Sequence, residues 1–295
     1  MQQTILLGTN VTKQIKHQQI IRTSNFSLNT GEIVAFVGPN GSGKTSIIKM
    51  ILGLWPLTKG DIKINNYSVK DHFREAIKNV GVFIDQKSLY QQYSGYANLY
   101  LTATTKKHQK QMPHVIKLLS LESYINKKVK TYSLGMKQKL GIAQALLGDI
   151  KLLILDEPTN GLDPLGIKEL RELLLKLKAK KISVIIASHN LPELSVICDR
   201  LWLINNGQII LNQVLKAETK NYRFIFNKPL PKNKFKGLGE IIHNQELIIV
   251  PSKLNELVQV INQYQLTIKE IITEPFNIEK IYFTKLKEET HGKIN

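Results

Sequence analysis

The sequence predicts an α/β fold with a parallel-sheet core, and three observations carry this prediction. Short, nearly continuous apolar runs cover 32–37, 152–155 and 182–187, which is typical of buried strands in a parallel sheet. A glycine-rich turn after the first run leads into helical apolar spacing over 46–54. An amphipathic helical pattern over 164–180 separates the second and third runs, so strands and helices alternate along the chain.

The remaining elements of the core are predicted in chain order around these runs. Apolar pieces at 4–7 and 26–28, with polar turns between them, indicate two or three short strands over 1–30. The later elements are strands at 61–64 and 80–84, a helical subdomain over about 87–150, a short helix at 192–198, and strands at 201–204 and 208–211. The last two strands form a predicted hairpin, because Asn-Gly between two apolar runs is a strong turn signal.

A second part of the chain begins where the pattern changes, after about residue 220. A length of 295 residues suits one large domain with a small addition. We therefore expect a domain over 1–220 and a small C-terminal α/β appendage over 221–295. Its predicted elements are strands at 223–226, 246–250 and 266–272, and helices at 253–264 and 276–286.

Composition excludes several classes of protein. The chain is 42% apolar and 22% charged, which excludes intrinsic disorder as its main state. The single cysteine, Cys198, excludes an internal disulfide framework and a cysteine-rich zinc site. No apolar run approaches the roughly 18–20 residues that span a bilayer, and the first ten residues lack a signal-peptide pattern. We therefore expect synthesis and retention in the cytosol.

The net charge of +18 has three interpretations. Basic proteins are attracted to nucleic acid and to anionic membrane surfaces, but a general bias toward lysine needs no partner. No run of five consecutive basic residues occurs in 1–220. We favour the compositional bias, place an anionic membrane surface second and nucleic acid third, and expect no nucleic-acid partner.

A phosphate-binding motif follows the first buried strand. Residues 38–45 match G-x-x-x-x-G-K-[ST], with the strand before it and the helix after it that this motif requires. Glycines let backbone N–H groups turn toward phosphates, and the helix N-terminus faces the same anions. Lys44 can reach the β- and γ-phosphates, and the Thr45 hydroxyl can ligate Mg²⁺. The predicted nucleotide-binding residues here are Gly38, Pro39, Asn40, Gly41, Ser42, Gly43, Lys44, Thr45 and Ser46.

A pair of carboxylates ends the second buried strand. Asp156 and Glu157 follow four apolar residues and precede Pro158. A carboxylate at the carboxyl end of such a strand suits Mg²⁺ coordination through water, and a second one beside it can polarise an attacking water. The alternative, two solvated acids that cap the next turn, fits the apolar run less well.

Three further sequence features have a defined position relative to the predicted strands and to the two motifs above. They are Gln86 after the strand 80–84, the segment Tyr132-Ser133-Leu134-Gly135-Met136, and His189 after the strand 182–187. Two features described above complete the series: the phosphate loop, and the acidic pair with the turn 160–163 that follows it. In order and spacing, the five features resemble the ATP-binding subunit of an ABC transporter over roughly 1–210. The resemblance implies a P-loop NTPase core with an N-terminal antiparallel β subdomain and a helical subdomain. It also implies ATP and Mg²⁺ as ligands.

The resemblance also implies roles for individual residues. Glu157 resembles the general base for ATP hydrolysis, and His189 resembles the switch histidine that contacts the γ-phosphate. Gln86 is placed as the residue that senses Mg²⁺ and the membrane partner, and Thr45, Gln86 and Asp156 as the metal site. The residues expected at the interface with a second subunit are Ser133, Gly135, Met136 and Asp163.

The resemblance implies two partners. A second ATP-binding subunit, identical or related, would pair head to tail with this one, and an integral membrane (permease) subunit would be a separate polypeptide. The protein would then lie at the cytoplasmic face of the cell membrane. A groove near Gln86 and 87–100 would receive the membrane subunit; Tyr90, Tyr93 and Tyr96 could line it or could serve local packing.

The sequence departs from the family pattern in three places. Ile15 stands where an aromatic residue usually stacks on adenine, so stacking should be weaker or should come from another group such as His17. Tyr132, Leu134 and Met136 replace Leu, Gly and Gln of the signature Leu-Ser-Gly-Gly-Gln, as in the branch that exports drugs, bacteriocins and lantibiotics. The third departure is the appendage over 221–295, which the core of the family does not require but which that branch often carries. A soluble ABC-type ATPase on ribosomes or nucleic acid and an importer ATPase remain the alternatives.

Overall fold

The computed structural model describes residues 3–188, 194–215, 221–231, 235, 237–273, 278 and 281–285. The chain divides into two compact units, Met1–Gln213 and Val214–Asn295. This division falls seven residues before the predicted one at 220. Among the described residues, no helix has the length and apolar character needed to cross a bilayer.

The larger unit contains ten strands and six helices among its described residues. The strands are β1 (Thr4–Ile15), β2 (Gln18–Asn29), β3 (Ile33–Val37), β4 (Lys59–Ile64), β5 (Tyr67–Ser68), β6 (Val80–Phe83), β7 (Leu152–Asp156), β8 (Ser183–Ala187), β9 (Arg200–Asn205) and β10 (Gln208–Val214). The helices are α1 (Lys44–Ile51), α2 (Phe73–Ile77), α3 (Gly95–Thr102), α4 (Lys106–Leu118), α5 (Leu134–Ala145) and α6 (Pro164–Ala179).

The N-terminal subdomain is a four-stranded antiparallel sheet in the order β2-β1-β4-β5. The expectation of two or three short strands at its start was wrong in detail. The structure has one long hairpin of two 12-residue strands, β1 and β2. Polar residues continue the strands because cross-strand backbone hydrogen bonds do not depend on side-chain polarity, and register shifts in the pairing absorb the irregular spacing.

The central sheet has the order β10-β9-β3-β8-β7-β6. Every residue of β3, β7 and β8 is buried, which confirms the three apolar runs as core strands. These three strands pair in parallel, β3 with β8 and β8 with β7. Their carboxyl ends therefore meet at one edge of the sheet, where ligands bind in open α/β folds.

Between β6 and β7 the chain is largely helical, as predicted. It forms α3, α4 and α5 with a short 3₁₀ turn before α5. The predicted hairpin of β9 and β10 is also present, with Asn206 and Gly207 both at positive φ in its turn, as a type I′ turn requires. The predicted helix at 192–198 lies partly outside the described residues.

The smaller unit contains an antiparallel sheet, one helix described over its full length, and further helical residues at 278 and 281–285. Its strands are β11 (Tyr222–Phe226), β12 (Glu240–Ile242), β13 (Glu246–Ile249) and β14 (Ile268–Thr273), in the order β12-β13-β11-β14, and its helix is α7 (Leu254–Tyr264). The predicted pattern omitted β12, whose three residues are too few to show an alternation. Within the predicted helix at 276–286, the described residues 278 and 281–285 are all helical, which agrees with the prediction over that part; the other five residues lie outside the described ones.

Candidate functional site

The phosphate loop links β3 to α1 and has the backbone that its glycines permit. Gly43 lies at φ 107°, which a residue with a side chain adopts only under strain, and a Cβ there would lie 2.7 Å from the Ile21 Cδ1 atom. The Ser42 hydroxyl oxygen is buried and has no hydrogen-bond partner within the described part of the chain. A buried, unsatisfied hydroxyl in this loop fits a site whose polar partner is a ligand.

Lys44 is buried in the loop that it closes. Its ammonium donates to the Gly38 carbonyl oxygen at 2.7 Å and to the Pro39 carbonyl oxygen at 3.1 Å. Burial lowers the pKa of Lys44, and the charges of Glu157 and Asp156 oppose that shift. The ammonium therefore stands in a place where added negative charge would stabilise it.

Asp156 lies opposite the loop, at the end of β7. Its carboxylate accepts a hydrogen bond of 2.9 Å from the Thr45 hydroxyl. Burial raises the pKa of Asp156, and the bond from Thr45 opposes that shift. Hydroxyl and carboxylate oxygens are ligands that Mg²⁺ prefers, so this pair fits the expected metal. The described ranges contain no group of three or more His, Cys, Asp or Glu side chains that could hold a metal ion.

Glu157 follows Asp156 in an unusual backbone conformation. Its φ is 50°, a left-handed value that costs a non-glycine residue free energy and often marks a functional site. Its N–H donates to the Ala187 carbonyl at 2.7 Å, and its carboxylate accepts a bond of 3.4 Å from the Ser188 hydroxyl. The end of β8 therefore orients both the peptide and the side chain.

These groups face one cleft of about 450 Å³, a size that suits a small-molecule ligand. The lining residues are Ile20, Asn40, Gly41, Gly43, Lys44, Thr45, Ser46, Ile84, Asp156, Glu157 and Asn160. The structure thus brings the phosphate loop and the acidic pair together, as the sequence predicted. Ile20, Ile84 and Asn160 were not predicted as site residues, because their place in the cleft depends on how the strands are ordered.

Gln86 lies outside this described lining. Its amide nitrogen donates to the Gln138 side-chain oxygen at 2.8 Å and to the Leu134 carbonyl at 3.3 Å. The structure therefore ties Gln86 to α5, and its role as a metal ligand stays a prediction. His189 lies outside the described residues, so its switch role also stays a prediction.

The segment before α5 forms a capped helix start. The Ser133 hydroxyl accepts a hydrogen bond from the Met136 N–H at 3.2 Å, and Ser133 is exposed. Gly135 packs closely on the turn after β7, because a Cβ there would lie 2.7 Å from the Gly161 carbonyl oxygen. None of these residues belongs to the described cleft lining, so their contact with a nucleotide stays a prediction.

Two other predicted residues have clear positions. Asp163 caps α6, since its carboxylate accepts a bond of 2.7 Å from the Gly166 N–H; its place at a subunit interface stays a prediction. Ile15 ends β1 with 42% of its surface exposed, and His17 lies exposed in the turn that follows.

Comparisons with known proteins agree on one family. A family model described as ABC transporter matches residues 21–160. The chain is 38% identical over 278 residues to the uncharacterized ABC transporter ATP-binding protein YhcH of Bacillus subtilis, covering 91% of each chain. It is 38% identical over 210 residues to the bacitracin transport ATP-binding protein BcrA of Bacillus licheniformis, covering 70% of this chain and 69% of that one.

Two further matches extend this result. The chain is 35% identical over 222 residues to the lantibiotic transport ATP-binding protein SrtF of Streptococcus pyogenes, covering 75% of this chain and 95% of that one. A solved structure of the ATP-binding subunit of an ABC transporter matches with a TM-score of 0.67 and 29% identity, covering 72% of this chain and 90% of that one.

Proposed function

The chain belongs to the ABC transporter family of ATP-binding proteins, and we propose that it drives the export of a drug, antimicrobial peptide or similar amphipathic substrate through a separate membrane subunit. It is an ATPase with a P-loop NTPase core. The observation that carries the ATP-hydrolysing part of the proposal is the cleft in which Lys44, the Thr45–Asp156 pair and Glu157 lie together.

In this proposal the phosphate loop holds the ATP phosphates. The N–H groups at the start of α1 and the Lys44 ammonium are positive groups already directed at the cleft. The ammonium would exchange its bonds to the Gly38 and Pro39 carbonyls for bonds to phosphate oxygens. Thr45 and Asp156 would hold Mg²⁺, which would neutralise part of the negative charge of the phosphates.

Glu157 is the proposed general base for hydrolysis. Its side chain faces the cleft, while contacts with Ala187 and Ser188 fix the orientation of its peptide and carboxylate. A carboxylate held in this way can orient and deprotonate a water that attacks the γ-phosphate in line. Catalysis in this site would rest on positioning and electrostatics, because phosphoryl transfer needs little covalent help from the protein.

A second ATP-binding subunit is the first proposed partner. The exposed start of α5, with Ser133, Gly135 and Met136, has the backbone N–H groups of a helix N-terminus. It lies outside the described lining of its own chain's cleft. A head-to-tail pair would place this helix start on the γ-phosphate in the partner's cleft, so ATP would hold the two subunits together. Asp163 would lie in the same interface.

A membrane subunit is the second proposed partner. The tyrosines near Gln86 are exposed: Tyr90, Tyr93, Tyr96 and Tyr100. The rings of Tyr90 and Tyr93 contact each other, with their centroids 5.9 Å apart. Exposed aromatic side chains in a cluster mark interaction surfaces, which favours docking over purely local packing. The protein would then be peripheral, at the cytoplasmic face of the membrane.

The proposed substrate class rests on the relatives that transport bacitracin and lantibiotics. Their names support export of antimicrobial compounds over the importer alternative. The net charge of +18 keeps a ribosomal or nucleic-acid ATPase as the alternative to be tested.

The test is a pull-down of tagged Glu157→Gln protein from detergent-solubilised native cells with ATP and Mg²⁺, followed by mass spectrometry. The expected result is a polytopic membrane protein in near-equal amount, which is lost when the bait is Lys44→Ala. Ribosomal proteins or nucleic acid in place of a membrane protein would overturn the transporter proposal.

A further inference from the structure

Gln138 is a buried polar residue to which the proposed mechanism gives no role. It lies in the second turn of α5, with only 3% of its surface exposed. A buried primary amide is costly unless both its oxygen and its nitrogen are hydrogen-bonded. In this structure both ends of the amide are used, and each end contacts a residue of the proposed machinery.

The oxygen of the Gln138 amide faces Gln86. The Gln86 side-chain nitrogen donates to it at 2.8 Å and also donates to the Leu134 carbonyl at 3.3 Å. Gln86 begins the segment that leads to the exposed tyrosines, where we propose that the membrane subunit docks. A displacement of that segment would therefore remove the hydrogen-bond donor from the Gln138 oxygen.

The nitrogen of the Gln138 amide faces Glu157, the residue that follows β7. It donates to the Glu157 carbonyl oxygen at 2.9 Å. The same residue has φ 50° and donates its N–H to the Ala187 carbonyl at 2.7 Å. The left-handed peptide of Glu157 is thus held at its N–H by β8 and at its carbonyl by Gln138, with a longer bond of 3.3 Å from the Asn160 N–H to the same carbonyl. A strained peptide persists only when its surroundings hold it.

We propose that Gln138 is a positioning residue that transmits the position of Gln86 to the Glu157 base. With Gln86 in place, the amide of Gln138 is satisfied at both ends and holds the Glu157 peptide in its left-handed conformation. When Gln86 moves away, the buried oxygen loses its donor, so rotation of the amide toward another partner becomes favourable. The shorter of the two hydrogen bonds to the Glu157 carbonyl is then lost, only the 3.3 Å bond from the Asn160 N–H remains, and the base is held less firmly. The inference rests on the proposed function of Glu157.

The first test compares Gln138→Met with Gln144→Met. Both glutamines lie on α5, and Gln144 also bridges two groups, the Asn98 carbonyl at 3.0 Å and the Thr102 hydroxyl at 2.9 Å. Gln144 contacts neither Gln86 nor Glu157 in the described hydrogen bonds, so it controls for loss of a bridging amide in the same helix. Steady-state ATPase activity of the full-length protein is measured against ATP concentration.

We expect Gln138→Met to lower kcat about 10–100-fold, the size expected for a misplaced general base, with KM for ATP changed less than about threefold. Gln144→Met should keep kcat within about twofold of the unchanged protein. Equal kcat in the two variants, or a loss through KM alone, would overturn the inference. If the unchanged protein hydrolyses no ATP, the proposed function fails, not the role of Gln138.

A second variant covers the case in which Gln138→Met does not fold. Gln138→Glu keeps the shape of the side chain and an oxygen that can accept from Gln86, but its carboxylate cannot donate to the Glu157 carbonyl. The expected result is bound ATP, measured by fluorescence of a labelled nucleotide, with the same large loss of kcat. Normal turnover would show that the donated bond does not hold the base.

A double-variant cycle tests the transmission itself. If Gln86 acts on Glu157 through Gln138, the Gln86→Met and Gln138→Met losses in kcat should not multiply, because either change breaks the same path. The double variant should therefore be no worse than about twofold below the poorer single variant. A loss equal to the product of the two single losses would contradict transmission through Gln138.

Discussion

The phosphate loop and the start of α5 both present backbone N–H groups at a helix N-terminus, but their surroundings differ. Around the loop, Lys44 is buried and the Thr45–Asp156 pair is closed at 2.9 Å within one cleft. At the start of α5, Ser133 is exposed and Leu134 has 54% of its surface exposed. The first region is enclosed by its own chain, and the second opens to the outside.

This difference explains why two subunits are needed in the proposed mechanism. The enclosed cleft holds its charges near one another, so in the proposed mechanism it binds the phosphates with no contribution from another chain. The start of α5 has backbone N–H groups that could bind an anion, but none of its residues belongs to the described lining of the cleft in its own chain. The two regions are therefore complementary. We call the phosphate loop with its cleft the enclosed half and the start of α5 the open half, and changes in each should affect different measured quantities.

The largest expected effect is that of Glu157→Gln in the enclosed half, which should stop ATP hydrolysis but leave ATP binding intact. Glu157→Gln removes the proposed base while retaining an isosteric side chain, and we expect kcat to fall about 100–10,000-fold. ATP binding should remain, so an ATP-dependent dimer should accumulate, measurable by size-exclusion chromatography with light scattering. Near-normal turnover would contradict the assignment of Glu157 as the base.

The next effect tests the positive charge of the enclosed half. Lys44→Ala removes hydrogen bonds from an ammonium to phosphate, worth about 1.5–3 kcal/mol, so the Kd for ATP should rise about 10–100-fold by calorimetry. The matched control is Lys49→Ala on the same helix. The Lys49 ammonium lies 5.2 Å from the centroid of the Trp55 ring and lines no part of the described cleft. Unchanged affinity for Lys44→Ala would contradict the phosphate cradle.

A smaller effect tests the open half. Ser133→Ala removes a helix N-cap, which should cost about 1 kcal/mol of stability, and also the proposed contact with the partner's nucleotide. Ser94→Ala is the control, because the Ser94 hydroxyl caps α3 in the same way at 3.1 Å from the Ala97 N–H. Both variants should show a similar fall in Tm, whereas only Ser133→Ala should lower ATPase activity, by about tenfold.

Two outcomes would break the comparison of the halves. Equal ATPase activity in the two serine variants would mean that Ser133 is only a cap. A weaker Kd for ATP in monomeric Ser133→Ala protein would mean that the start of α5 acts on its own chain's cleft, and the head-to-tail arrangement would then be wrong.

The smallest effect concerns the adenine end of the enclosed half. Ile15→Tyr adds an aromatic ring at an exposed position of the N-terminal hairpin, and stacking of an aromatic pair is worth about 0.5–1.5 kcal/mol. ATP should bind about 2–10-fold more tightly, with Ile15→Leu as the control for a change of shape alone. No change would mean that another group, such as His17 or Ile20, already holds the base.

Several parts of this molecule could be predicted because their signals are local. The run 152–157 shows its buried strand and its acidic end in six consecutive residues, and the phosphate motif contains its own glycines, lysine and threonine. The Asn-Gly turn between β9 and β10 follows from the two residues that adopt positive φ. Such signals can be read from the sequence because each depends only on residues that are neighbours in the chain.

Other parts were decided by pairings between distant residues. The long β1–β2 hairpin and the short β12 depend on cross-strand hydrogen bonds that a hydrophobic pattern does not record. Ile20 reaches the cleft only because of how the N-terminal sheet meets the core. The segment around Ser133 was recognised from sequence, but Gln138, five residues later, could have been noticed only as a polar residue in a largely buried helix.

The sequence by itself determined the α/β core, the phosphate loop, the acidic pair and the family. The tertiary structure decided which of the predicted residues share a cleft and which are joined indirectly. Gln86 and Gln138 are 52 residues apart, and Gln138 and Glu157 are 19 apart. The order of parallel strands brings such residues together, and that order arises from burial of the whole sheet, because no single segment contains the information for it.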